Sequence, residues 1–182
     1  SLDNNILCIA EKSVVAMRQI EPQLVQEMVK AGCVLIENQQ DIQRLVDLTV
    51  LPNGTPNKKF VGKNASVILD AAHIPYNGDP RLIIMRTPKD HPFAVIEMLM
   101  PILPVVTVDS FDEGLDVCLM LEAGLHHTAT MHSLNMERLN RMARKMKTSI
   151  FVKNGPSYAG LGFSGEGTTT FTIATPTGES TT

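Results

Sequence analysis

Two stretches of this chain are apolar on both faces at strand length. Leu82–Met85 and Pro104–Val108 show almost no alternation of apolar and polar residues, and runs of that kind belong to strands covered on both sides, as in a parallel sheet between helices. Parallel strands need crossover helices, and the intervening segments supply them. Ser13–Arg18 reads as a strand. Glu21-Pro22 then opens a helix with proline in its first turn, carried by Leu24, Val25, Met28 and Val29 and stopped at Gly32. Cys33–Ile36 is a second short strand, and Ile42, Leu45, Val46 and Thr49 stripe the next helix before Pro52-Asn53-Gly54 breaks it. Further on, Ser110 and Glu113 form a capping box for a helix through Glu122, with Phe111, Leu115, Cys118 and Leu119 on one face. A strand at His127–His132, a helix at Asn135–Lys147 and a strand at Ser149–Lys153 complete the alternation. The fold class expected is α/β, a mostly parallel sheet flanked by helices.

Composition narrows the function. With 182 residues, 43% hydrophobic and 19% charged, the chain can bury a sizeable core, which excludes a disordered segment. Lys and Arg number 16 against 19 Asp and Glu, so there is no electrostatic reason to expect nucleic acid. No apolar run approaches the roughly 20 residues that cross a bilayer, so no membrane segment is expected. Three cysteines without a CxxC pair suit a reducing, cytoplasmic setting. The chain opens at Ser1 without methionine and ends on a polar Ser180-Thr181-Thr182, as an excised piece would. Five glycines between Gly155 and Gly167 mark a tightly turned loop, and Thr168–Thr175 alternates as an extended strand. The expected division is one domain over residues 1–167 and, from 168 to 182, a strand that leaves it and pairs with a partner chain.

Several motifs invite chemistry. Gly160-Leu-Gly162-Phe-Ser-Gly165 satisfies GxGxxG, but a threonine-rich strand follows where the dinucleotide fingerprint requires a helix. It reads as a loop whose glycines allow close packing. His126, His127 and His132 are neighbours in sequence, yet as strand residues the first two face opposite ways, and His126 and His132 stand about 20 Å apart at ~3.3 Å per residue. No metal site is expected. The basic set Arg138, Arg141, Arg144, Lys145 and Lys147 is a solvated helix face or an attractor of an anionic ligand. Cys33 and Cys118 fall on apolar faces as inert core thiols, whereas Cys8 lies after the polar Asp3-Asn4-Asn5, where a turn would present it.

The segment around Cys8, DNNILCIAEK (Asp3–Lys12), resembles the catalytic-cysteine segment of the CoA-acylating aldehyde dehydrogenases, particularly those of ethanolamine and propanediol utilisation in bacterial microcompartments. NKKFVGK (Asn57–Lys63), EMLMPILPVV (Glu97–Val106), GLHHTATMHS (Gly124–Ser133) and the run Thr148–Glu179 resemble the same family in the same order. The resemblance implies the catalytic α/β domain of such an enzyme and the start of its oligomerisation arm, without the dinucleotide-binding domain, and inactive alone. It implies Cys8 as the nucleophile, its backbone N–H as an oxyanion donor, and a cysteine thioester passed to coenzyme A. It further implies Glu97 on the nicotinamide ribose of NAD, with Pro101 closing that motif, and His127 as the general base for the CoA thiol, against the alternative of a histidine packed at a strand start. Leu7 and Ile9 would line a small apolar pocket for a short aldehyde. NKKFVGK leans toward acetaldehyde, with propionaldehyde as the alternative. A homo-oligomer joined through the C-terminal strand, microcompartment shell or cargo partners, and a place in the cytoplasm or inside a microcompartment are implied in the same way. Two features separate the chain from hydrolytic relatives: Cys8 lacks a QxC context, and Gly162-Phe163-Ser164-Gly165 stands where those carry PFGG. From another class, a non-catalytic α/β assembly module is the competing reading.

Overall fold

The computed structural model describes residues 2–162. The chain divides into two compact units, Ser1–Ser110 and Phe111–Thr182.

The first unit is built on a four-stranded parallel sheet of β1 (Val14–Met17), β2 (Cys33–Leu35), β3 (Leu82–Arg86) and β4 (Ile102–Val108), in the order β1-β4-β3-β2. The two runs that are apolar on both faces are its central strands. Their residues divide by parity: Leu82, Ile84, Leu103 and Val105 pack with Val25 of helix α1 (Glu21–Lys30), while Ile83, Met85 and Ile102 face the other side. There they meet Leu45 of α2 (Gln39–Thr49), Ile68 and Leu69 of α3 (Ala65–Ala71) and Phe93 of α4 (Pro92–Val95). The sheet is thus covered on both faces, as the sequence predicts. Helix α2 is capped by Asn38, whose side chain accepts the Gln40 N–H at 2.8 Å. At the far end of β3, Arg86 bridges the buried Glu21 (2.8 Å) and Glu37 (3.0 Å), tying the start of α1 to the segment after β2.

The second unit pairs β5 (Thr128–Met131) in parallel with β6 (Ile150–Lys153) beneath helices α5 (Phe111–Glu122) and α6 (Met136–Met146). Leu115, Ala129, Met142 and Met146 form its core, with Cys118 packed against them. Asn135 caps α6 by accepting the Arg138 N–H at 3.0 Å, and Lys147 ends it in the left-handed region at φ 50°. Arg138 and Arg141 lie over the Phe111 ring, each 5.4 Å from its centroid, and Arg141 pairs with Asp112 at 2.6 Å. These two basic residues thus brace α6 against α5.

Gly160 lies in a 3-10 turn, Ser157–Leu161, against β6. A Cβ there would stand 2.2 Å from Ile150 Cγ2, so at Gly160 the close packing expected of the motif's glycines is seen and any side chain would force a shift. The GFSG stretch beyond Gly162 and the strand at Thr168–Thr175 lie outside the described residues.

One expectation is corrected. His126 and His127 were placed by strand geometry, but β5 begins at Thr128 and His126 is left-handed at φ 54°, so both belong to the turn that enters the strand. Among the described residues, no group of three or more His, Cys, Asp or Glu is placed to hold a metal ion. No described helix is long and apolar enough to cross a membrane.

Candidate active site

Cys8 owes its position to an uncommon backbone. Asp3, Asn4 and Asn5 take φ of 49°, 53° and 59° in succession, a left-handed turn that Asn and Asp tolerate better than other residues with side chains. Ile6 N–H donates to Asp3 O at 3.1 Å, and Ala10 N–H donates to Leu7 O at 2.9 Å across a second turn that contains Cys8. The buried Asn5 side chain reaches Glu11 O at 3.4 Å, and Ile9, 3% exposed, anchors the loop in the core. Cys8 is left exposed at the tip. The other two thiols contrast with it: burial pushes Cys33 up, and burial of Cys118 pushes its thiol up to about 11, which keeps both protonated and unreactive near neutral pH.

The loop rests on a second segment that brings in a third. Asn4 Nδ2 donates to Gly62 O at 3.1 Å and to Asn64 Oδ1 at 2.8 Å, while Gly62 N–H donates to Leu99 O at 3.0 Å. Gly62 is left-handed at φ 68°, and a Cβ there would meet Ile6 Cδ1 at 3.0 Å. The NKKFVGK stretch therefore clasps the Cys8 loop to the Glu97 loop. It is itself seated by Phe60, 3% exposed in the core, and by Asn57, whose Nδ2 donates to Leu48 O at 3.0 Å. Sequence reasoning used this stretch only as a family marker and missed Asn4, Gly62 and Asn64; three left-handed residues in a row are the signal that Asp-Asn-Asn carried.

Between the clasped loops lies a cleft of about 20 Å³, lined by Leu7, Glu11, Lys12, Glu97 and Met100 among others. It sits at the amino ends of β1 and β4, because these strands are neighbours and the Cys8 and Glu97 loops lead into them. Glu97 is exposed at its rim. Pro101 is buried and its carbonyl accepts Ile83 N–H at 2.8 Å, which fixes the end of that segment to β3. Helix α4, which precedes Glu97, starts on His91, whose Nδ1 accepts Phe93 N–H at 3.2 Å; burial lowers the ring's pKa, against Asp90, and favours the neutral form this cap needs. Of the sequence-selected residues, Leu7 and Glu97 share the cleft beside the Cys8 turn, whereas Ile9 belongs to the core.

In the second unit, His127 is half-buried, with Nδ1 2.7 Å from Thr128 Oγ1 and its backbone N–H donating to Glu122 Oε1 at 3.1 Å. His126 sets its Nδ1 3.1 Å from Met146 O. A carbonyl only accepts, so His126 carries its proton on Nδ1.

No protein-family model matches the chain. A propanal dehydrogenase (CoA-propanoylating) of Citrobacter freundii is 52% identical over 183 residues, covering 100% of this chain and 39% of that protein. An acetaldehyde dehydrogenase (acetylating) of Salmonella typhimurium is 44% identical over 184 residues, covering 98% of this chain and 39% of its own length. Among solved structures, Rhodopseudomonas palustris propionaldehyde dehydrogenase with bound propionyl-CoA matches at a TM-score of 0.92 and 44% identity, over 98% of this chain and 40% of that one. The chain thus spans about two fifths of the length of the curated relatives it matches. Identity at this level across the whole chain, joined to the same fold, leaves one conclusion: these 182 residues belong to the CoA-acylating aldehyde dehydrogenase family.

Proposed function

We propose that the chain supplies the nucleophile-bearing part of an NAD-dependent, CoA-acylating aldehyde dehydrogenase that converts acetaldehyde or propanal to the acyl-CoA. The observation that carries this reading is an exposed cysteine on the turn that follows the left-handed Asp3-Asn4-Asn5, held beside a cleft rimmed by Glu97, in a chain 52% identical to an enzyme of that activity. Residues 1–167 form the catalytic domain in this reading, and residues 168–182 begin an arm through which copies associate. The resemblance supports a microcompartment as the setting.

The Cys8 thiolate adds to the aldehyde carbon, and the oxygen that gains charge is met by the Cys8 backbone N–H. NAD, when bound, accepts the hydride. Glu97 suits its ribose, because a carboxylate accepts from both hydroxyls and stands at the rim beside Leu7. What remains is an acyl group on Cys8 Sγ. His127 then takes the proton of the CoA thiol, the CoA sulfur attacks the acyl carbon, the Cys8 thiolate leaves as it began, and His127 gives the proton up to water. Leu7 packs the apolar end of a short aldehyde, and Ile9 supports it from the core.

Incubating the complete protein with aldehyde and NAD, without CoA, tests this reading. Mass spectrometry should find a single acyl group on the peptide containing Cys8; an acyl group on another residue, or none after NADH has formed, would contradict it.

A further inference from the structure

A carboxylate at the carboxyl end of a helix works against the helix dipole, and a largely buried one needs a further reason to be there. Glu122 is the last residue of α5, and its side chain is 8% exposed. Rather than reaching water, it turns back over the loop that follows. Its Oε1 accepts the backbone N–H of His127 at 3.1 Å, and its Oε2 lies 4.0 Å from His126 Nδ1. That loop is tight, with Ala123, Gly124 and His126 all left-handed at φ 58°, 74° and 54°. On the opposite side, Ser149 N–H donates to His126 O at 2.9 Å and Ile150 N–H donates to His127 O at 3.1 Å. His127 is therefore held at its carbonyl by β6 and at its amide by Glu122. With Nδ1 engaged by Thr128 Oγ1 at 2.7 Å, Nε2 is the ring nitrogen left to take a proton from a substrate.

We propose that Glu122 is a positioning residue for the transfer of the acyl group to CoA: it sets the backbone of His127, and thereby the direction of Nε2, through the amide hydrogen bond. This rests on the reading of His127 as the base that deprotonates the CoA thiol. Glu122 takes no part in the first half of the reaction, in which Cys8 is acylated and NADH forms, because it acts only through His127. Its effect is confined to the second half, where misplacing a base by a fraction of an ångström already slows proton transfer.

The experiment uses the complete protein and separates the halves. NADH formed in a single turnover without CoA reports acylation, and decay of the isolated acyl-enzyme on adding CoA reports transfer. Glu122→Ala should slow transfer about tenfold or more and leave the acylation rate in place. Glu122→Gln, whose amide oxygen can still accept the His127 N–H, should restore most of the loss. Combining Glu122→Ala with His127→Ala should be no slower than His127→Ala alone. Equal slowing of both halves by Glu122→Ala, or an unchanged transfer rate while His127→Ala slows it, would overturn the positioning role. Transfer unaffected by His127→Ala would instead remove the base reading on which it rests. Should Glu122→Ala fold poorly, Glu122→Gln against Glu122→Leu, matched by melting temperature, makes the same comparison.

Discussion

At the scale of single residues, the three thiols are the sharpest contrast in the molecule. Cys8 is exposed on its turn, whereas burial raises Cys33 and takes Cys118 to about 11. Since the thiolate is the reactive form, iodoacetamide near neutral pH should label Cys8 well ahead of the other two, read by peptide mass spectrometry. A raised thiol holds its proton until the pH approaches the raised value, so labelling of Cys118 should emerge only as the pH climbs toward that range; equal labelling at neutral pH would mean that the fold does not distinguish them. Asn4 offers a second residue-level test. Its two hydrogen bonds clasp the Cys8 loop to Gly62 and Asn64, the latter pair exposed. Asn4→Ala should cost about 1 kcal/mol in chemical denaturation and slow acylation more than its stability loss would suggest. An unchanged acylation rate would show that the clasp does not position Cys8.

At the scale of elements, the glycines that touch side chains set the limits. Gly160→Ala would drive a methyl to within 2.2 Å of Ile150 Cγ2, and the shift required should cost roughly 1–3 kcal/mol by denaturation. Gly54, with nothing within 4 Å of an added Cβ, carries no such clash and should lose only what its left-handed φ of 77° costs an alanine, about 1–2 kcal/mol. Legibility follows the same physics. Strands β3 and β4 were readable because burial on both faces leaves an unbroken apolar run, and α1 and α2 because each repeats one apolar face over about three turns. Helices α3 and α4 were not, since seven and four residues hold too few turns to show a period. His126 and His127 were drawn into the strand because β-branched Thr128 and Thr130 follow them, while the left-handed loop is fixed by contacts to Glu122 and Met146.

For the whole molecule, the candidate site was legible only in part. Resemblance singled out Cys8 and Glu97, but the meeting of their loops at one cleft depends on β1 lying beside β4, a neighbour relation that no local pattern encodes. The clasp through Gly62 is likewise a tertiary fact. The cleft is lined by the loops that enter these strands, so it lies at their amino ends, although open α/β sheets ordinarily bind ligands at the carboxyl ends. A cleft of about 20 Å³ has room for little more than a water, so under the proposed function the described residues supply one wall of the nicotinamide site rather than a chamber. The chain by itself should accordingly show no aldehyde-dependent NADH formation, while its Cys8 still alkylates. The most direct test of the central claim is NADH formation from acetaldehyde or propanal and NAD by the complete protein, with and without CoA, beside Cys8→Ala. Sustained turnover that requires CoA and vanishes in Cys8→Ala is the predicted result; sustained turnover without CoA, or turnover that survives the substitution, would contradict it.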